Sequence, residues 1–170
     1  VAPKLFDYSH DAEKARIKQT FAAFSSGIML ANTQWQANGG GTQGMNNMQG
    51  YAGDSLDMND VGYPLGTEKG EPMTQPHNIG KGHQGCYELF TALVDTEYTF
   101  SKRNADFDKV DFISKRKVYK FNDAQGSPTS KLALCYYIYT RQGYNSDPSK
   151  AETVYWYNSR TGEVTITEPK

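Results

Sequence analysis

Between Ser9 and about Ala37 the apolar residues Ile17, Phe21, Phe24, Ile28, Ala31 and Trp35 recur at spacings of four and three. That rhythm puts them on one face of a single long amphipathic helix and predicts that this face packs on the rest of the fold. The other face carries Glu13, Lys14, Lys18 and Gln19, as a solvated side requires. Pro3 precedes the predicted helix, Ser9 offers an N-cap, and Asn38-Gly39-Gly40-Gly41 supplies residues that tolerate left-handed backbone where it ends.

The period then disappears. Residues 38–85 are dense in Gly, Asn, Gln, Asp and Pro and read as an extended connecting region with brief local structure. A second, short helix is predicted from Gln84 or Gly85 to about Thr96, with Cys86, Leu89, Phe90 and Leu93 on one face. Beyond it the chain turns strand-like. Phe112–Phe121, Lys131–Thr140, Thr153–Asn158 and Gly162–Thr167 are rich in Val, Ile, Tyr, Phe and Thr, and the last two flank a short turn that makes them a hairpin. Val154-Tyr155-Trp156-Tyr157 is bulky on both faces, so both should be at least half covered. The expectation is an α+β fold, a long N-terminal helix on a four-stranded antiparallel sheet, in one domain over residues 1–170: helix to residue 38, connecting region 39–85, second helix and sheet 86–170.

Composition narrows the function more than the fold. Across 170 residues, 18 Lys and Arg stand against 19 Asp and Glu, for a net charge of -1, which gives no footing for nucleic acid or an anionic membrane surface. A mean hydropathy of -0.72 and no apolar run near the length of a span exclude a transmembrane helix within these residues. The chain opens on Val1 with neither an initiator Met nor a signal peptide, which suggests a processed or truncated chain. Cys86 and Cys135 lack CxxC spacing, so zinc-ribbon and thioredoxin readings fail. Their even parity is consistent with a disulfide in an oxidising compartment, where closing so long a loop is worth about 4 kcal/mol, or with two unrelated buried thiols.

No motif commits the chain to catalysis. Gly80-Lys81-Gly82-His83-Gln84-Gly85 matches GxGxxG literally, but Pro72 and Pro76 rule out a buried strand ahead of it, so it reads as a flexible lead into the second helix. His10, His77 and His83 do not converge with Cys86 as a tetrahedral ligand set and read as exposed side chains. Asp54, Asp57 and Asp60, like Asp106, Asp108 and Asp111, lack the EF-hand pattern and read as solvated loop acids. Twelve tyrosines could form a sugar or protein platform, but packing within the sheet accounts for most of them. No catalytic residue, metal ligand or cofactor is assigned.

The opening Val1-Ala2-Pro3-Lys4-Leu5-Phe6 and the long helix after it resemble the point where the membrane half of a type IV pilin helix gives way to its soluble half. The likeness is to pilins of the mannose-sensitive haemagglutinin type. It extends to Ala31-Asn32-Thr33-Gln34-Trp35, Asp60-Val61-Gly62-Tyr63-Pro64-Leu65-Gly66, Gly85-Cys86-Tyr87-Glu88-Leu89-Phe90-Thr91-Ala92-Leu93 and the closing Val154-Tyr155-Trp156-Tyr157-Asn158 with Thr161-Gly162-Glu163-Val164. The resemblance implies a Cys86–Cys135 disulfide that ties the second helix to a strand. It also implies a subunit that polymerises with other pilin subunits into a surface filament used in attachment, anchored in the inner membrane before assembly through an apolar segment upstream, with a surface glycan as candidate receptor. A secretion-system pseudopilin and, from another class, a secreted sugar-binding module are the alternatives.

Overall fold

Helix α1 runs over Ala2–Ala37, 36 residues, in a computed structural model that describes residues 2–167, with side chains from residue 10 onward. At 1.5 Å per residue it is about 54 Å long. It begins earlier than the sequence suggested: Pro3 falls in its first turn, where a missing N–H costs nothing, and Ser9 lies inside it rather than at a cap. Val1 and residues 168–170 lie outside the described chain.

The connecting region is built rather than slack. A 3-10 turn at Ala52–Asp54 and two strands, β1 (Asp57–Met58) and β2 (Pro64–Gly66), form a small antiparallel sheet of their own. Helix α2 covers Gly85–Leu93 and stops short of Thr96, because Val94 turns to extended backbone. At Gly27 a Cβ would come within 3.1 Å of the Leu93 Cβ, so the missing side chain lets the two helices approach closely.

The main sheet has five strands in the order β3 (Phe100–Ser101), β4 (Phe112–Asn122), β5 (Pro128–Tyr139), β6 (Val154–Asn158) and β7 (Val164–Thr167). β4 to β7 are antiparallel neighbours, but β3 pairs parallel to β4, so the sheet is mixed and not the four-stranded antiparallel one expected. A strand of two residues has no periodicity to read. Its pairing depends on Asp111, which accepts the backbone N–H and the hydroxyl of Thr99 and so pins that segment beside β4.

Alternation divides the sheet. Its inner face presents Phe112, Cys135, Tyr137, Tyr155 and Tyr157 to α1 and α2. Phe21 sits at the centre of this core. Its ring stacks on Tyr155 with centroids 3.9 Å apart and also meets Phe24, Phe90, Phe112 and Tyr137. Such pairs add about 0.5–1.5 kcal/mol each beyond area burial. The two fully buried tyrosine hydroxyls have acceptors, Tyr137 donating to Cys86 O and Tyr157 to Pro64 O, so neither is left as an orphan polar group. On the outer face the segment between β5 and β6 folds back, with Tyr144 and Ala151 covering Tyr136, Ile138 and Val154.

Candidate functional site

The residues predicted to form the helix's packing face are placed as follows. Ile17, Phe21, Phe24, Ile28 and Ala31 are buried in the core. Phe24 meets Tyr137 and Tyr157 edge-on, and Ile17 lines a small cleft with Tyr139, Tyr155 and Ile166. Trp35 is half-buried and rests on the loop glycines Gly40 and Gly62; a Cβ at Gly62, whose φ is +85°, would lie 2.4 Å from its ring. Cys86 and Cys135 form a disulfide that joins α2 to β5.

The opposite face of α1 is the less usual one. From Gln19 to Gly53 the chain has no charged residue. On the exposed side of α1 this leaves Ala22, Ala23, Ser26, Met29, Leu30 and Thr33, with Met29 57% and Leu30 56% exposed. An ordinary surface helix places charges there. The polar face expected from Lys18 and Gln19 does not continue beyond them, and the missing charge is the sequence signal that marks this stripe.

The connecting region hides two charged clusters. Lys69 is only 3% exposed, and its ammonium donates to the carbonyls of Gln75, Asn78 and Gly80 at 2.9, 2.7 and 3.3 Å. Burial, and then the charge of Arg116, lower its pKa to about 8 against the pull of Asp57. Asp57, itself buried, accepts the backbone N–H groups of Asn47 and Lys69. The second cluster joins Asp60 to Arg160 by a two-pronged ion pair in which both side chains are buried. Arg160 also lies over the Phe121 ring at 4.3 Å, and His77 Nδ1 is 3.4 Å from the same carboxylate. Burial pushes the Asp60 carboxyl up, but the hydrogen bond and charge of Arg160, helped by His77, outweigh it and hold the group below its usual value.

These contacts correct three expectations. Asp57 and Asp60 are not solvated loop acids but buried acceptors that staple the connecting region to itself and to the β6–β7 turn; only Asp54 of that trio is exposed. His77 is half-buried against Asp60 and Phe121 rather than exposed, whereas His83 is exposed as expected and accepts the Arg116 backbone N–H. The Gly80–Gly85 run is not a loose lead. A Cβ on Gly80 would lie 2.5 Å from Gly85 Cα, so these glycines allow two backbone segments to touch.

Among the described residues no group of His, Cys, Asp and Glu could hold a metal ion, and no helix is long and apolar enough to cross a membrane. Two clefts flank α1. One, of about 240 Å³, is lined by His10, Lys14, Tyr139, Arg141 and Tyr155. The other, of about 610 Å³, lies between α1 and residues 94–98. In the second, the Tyr98 hydroxyl donates to the Glu13 carboxylate at 2.9 Å. Compared with protein-family models, with curated proteins and with solved structures, the chain matches none.

Proposed function

We propose that this chain is the head of a type IV pilin-like subunit of the mannose-sensitive haemagglutinin type, polymerising into a surface filament used in attachment. The observation that carries the reading is the uncharged, partly apolar stripe along the outer side of α1, centred on Met29 and Leu30. Such a stripe costs free energy in water and is accounted for when helices of neighbouring subunits pack against it. The disulfide supports the reading, because bridges of this kind persist in oxidising compartments. So do the buried Lys69 and Asp60–Arg160 clusters, which harden a long connecting region as an exposed filament surface needs. In this reading function resides in association between subunits and not in a reaction.

The test is the coding sequence directly upstream of Val1 together with a filament assay. A short basic leader followed by an apolar stretch of about 20 residues would supply the anchor and the filament core. Met29→Asp with Leu30→Asp in that full-length protein should then abolish filaments while the secreted head keeps its melting temperature. A conventional secretory signal ending before Val1, or filaments indifferent to that pair of substitutions, would overturn the proposal.

A further inference from the structure

Two surfaces on opposite sides of the main sheet carry opposite charge. In the β4–β5 register Lys115 lies across from Tyr136 and Lys117 from Leu134, both on the face turned away from α1. The same face continues through Trp156 and Thr165 on the next two strands. Lys117 sits 5.4 Å above the Trp156 ring. Neither lysine forms an ion pair among the described residues; Asp147, the carboxylate that faces Lys117, is engaged by Ser149 and Lys150. This is a small basic surface with the Trp156 ring beside its charges.

On the other side, the 610 Å³ groove between α1 and residues 94–98 is lined by Glu13, Asp95, Glu97 and Asp111, with Arg16 as its one cation. Glu13 is paired with Arg16 and Asp111 with Arg141, while Asp95 and Glu97 are exposed and form no ion pair among the described residues. Its floor of Thr20, Ala23 and Val94 is small and uncharged.

We propose that the lysine-bearing outer face of the sheet docks into this acidic groove on a second copy of the chain, so that heads stack front to back. The two surfaces are complementary in charge and differ from each other, so the contact is heterologous. A heterologous contact that does not close into a ring continues as an open array. The inference deepens the filament reading and rests on it, assigning the interface between heads to named residues. Because Lys117 on one side and Asp95 and Glu97 on the other are exposed, the contact is weak and sensitive to salt.

Sedimentation of this 170-residue chain tests it. Self-association should strengthen by roughly tenfold as ionic strength falls from about 0.3 M to about 0.03 M. The double variant Lys115→Glu, Lys117→Glu and the double variant Asp95→Lys, Glu97→Lys should each lose it at least about tenfold. An equimolar mixture of the two should recover it, because each variant retains one native face and gains the complement of the other's. The milder Lys115→Gln, Lys117→Gln pair should fall between, which keeps the test open if a charge reversal fails to fold. A wild-type chain that stays monomeric at low salt, association indifferent to salt, or a mixture no better than its parts would overturn the proposal. Filaments formed by the full-length protein despite that result would show the helix-packing reading surviving without this contact. Salt-dependent stacking of heads that never form filaments would show the reverse.

Discussion

Phe21→Ala is the perturbation that most directly tests how this head is held together. The ring is buried, stacks face to face on Tyr155 and touches four further aromatic rings drawn from both helices and two strands. Removing a buried Phe side chain ordinarily costs about 3–5 kcal/mol in forfeited transfer free energy and residual cavity. Because this ring packs against so many others at once, its removal falls at the upper end of that range, about 5 kcal/mol. For a domain of this size each kcal/mol moves the melting temperature by about 2–4 °C, so the variant should melt about 10–20 °C lower. Urea and thermal unfolding followed by far-ultraviolet circular dichroism, with the disulfide kept oxidised, reads both numbers. Phe21→Leu, which keeps part of the volume, should lose about 1–2 kcal/mol and guards against a variant too unstable to study. Met29→Ala, on the exposed face of the same helix, should stay within about 0.5 kcal/mol of wild type. A loss at Phe21 below about 1.5 kcal/mol, or one matched by Met29→Ala, would refute the packing of α1 on the sheet through this ring.

Reducing the Cys86–Cys135 bond, which closes a separation of 49 residues, should destabilise the head by about 4 kcal/mol; equal melting with and without reductant, after confirmed reduction, would contradict this. Asp60→Asn leaves Arg160 buried and without its counter-charge, so a loss of about 3–5 kcal/mol is expected in the same unfolding assays. In the wild type the Asp60 contribution is complete above the ordinary carboxylate range and is lost as pH falls through its lowered value, so Asp60→Asn should flatten the acid limb of the stability curve. Lys69 acts in the opposite pH range. Between pH about 8 and 10.5 the unfolded chain keeps a proton that the folded chain has shed, so its contribution to stability rises with pH through that window. The difference between wild type and Lys69→Met should show that rise, and a flat difference would refute it.

The helix and the four long strands were legible because local pattern alone specifies them. Apolar residues every three or four positions can face one way only on a helix, and runs such as Val154-Tyr155-Trp156-Tyr157 can cover two faces only as a strand. The β6–β7 hairpin followed from its turn residues for the same reason. β3, with two residues, and the small β1–β2 sheet carry no pattern and were not legible. The candidate surfaces were only half visible. The absence of charge from Gln19 to Gly53 is written in the sequence, but that Met29 and Leu30 stay exposed while Ile28 and Ala31 are covered is settled by what packs on each side of α1.

What the sequence determined by itself, then, is what nearest neighbours along the chain decide: the α+β content, the apolar face of α1 and the alternation of the strands. Only the tertiary structure decided the fate of the polar side chains in the connecting region. Asp60 meets Arg160 across 100 positions, and the Lys69 ammonium finds three carbonyls of a loop with no periodicity. Judged by their sequence neighbours these residues are solvated, as isolated charges must be. They are buried here because folding brings their partners within hydrogen-bonding distance and so offsets the cost of removing them from water.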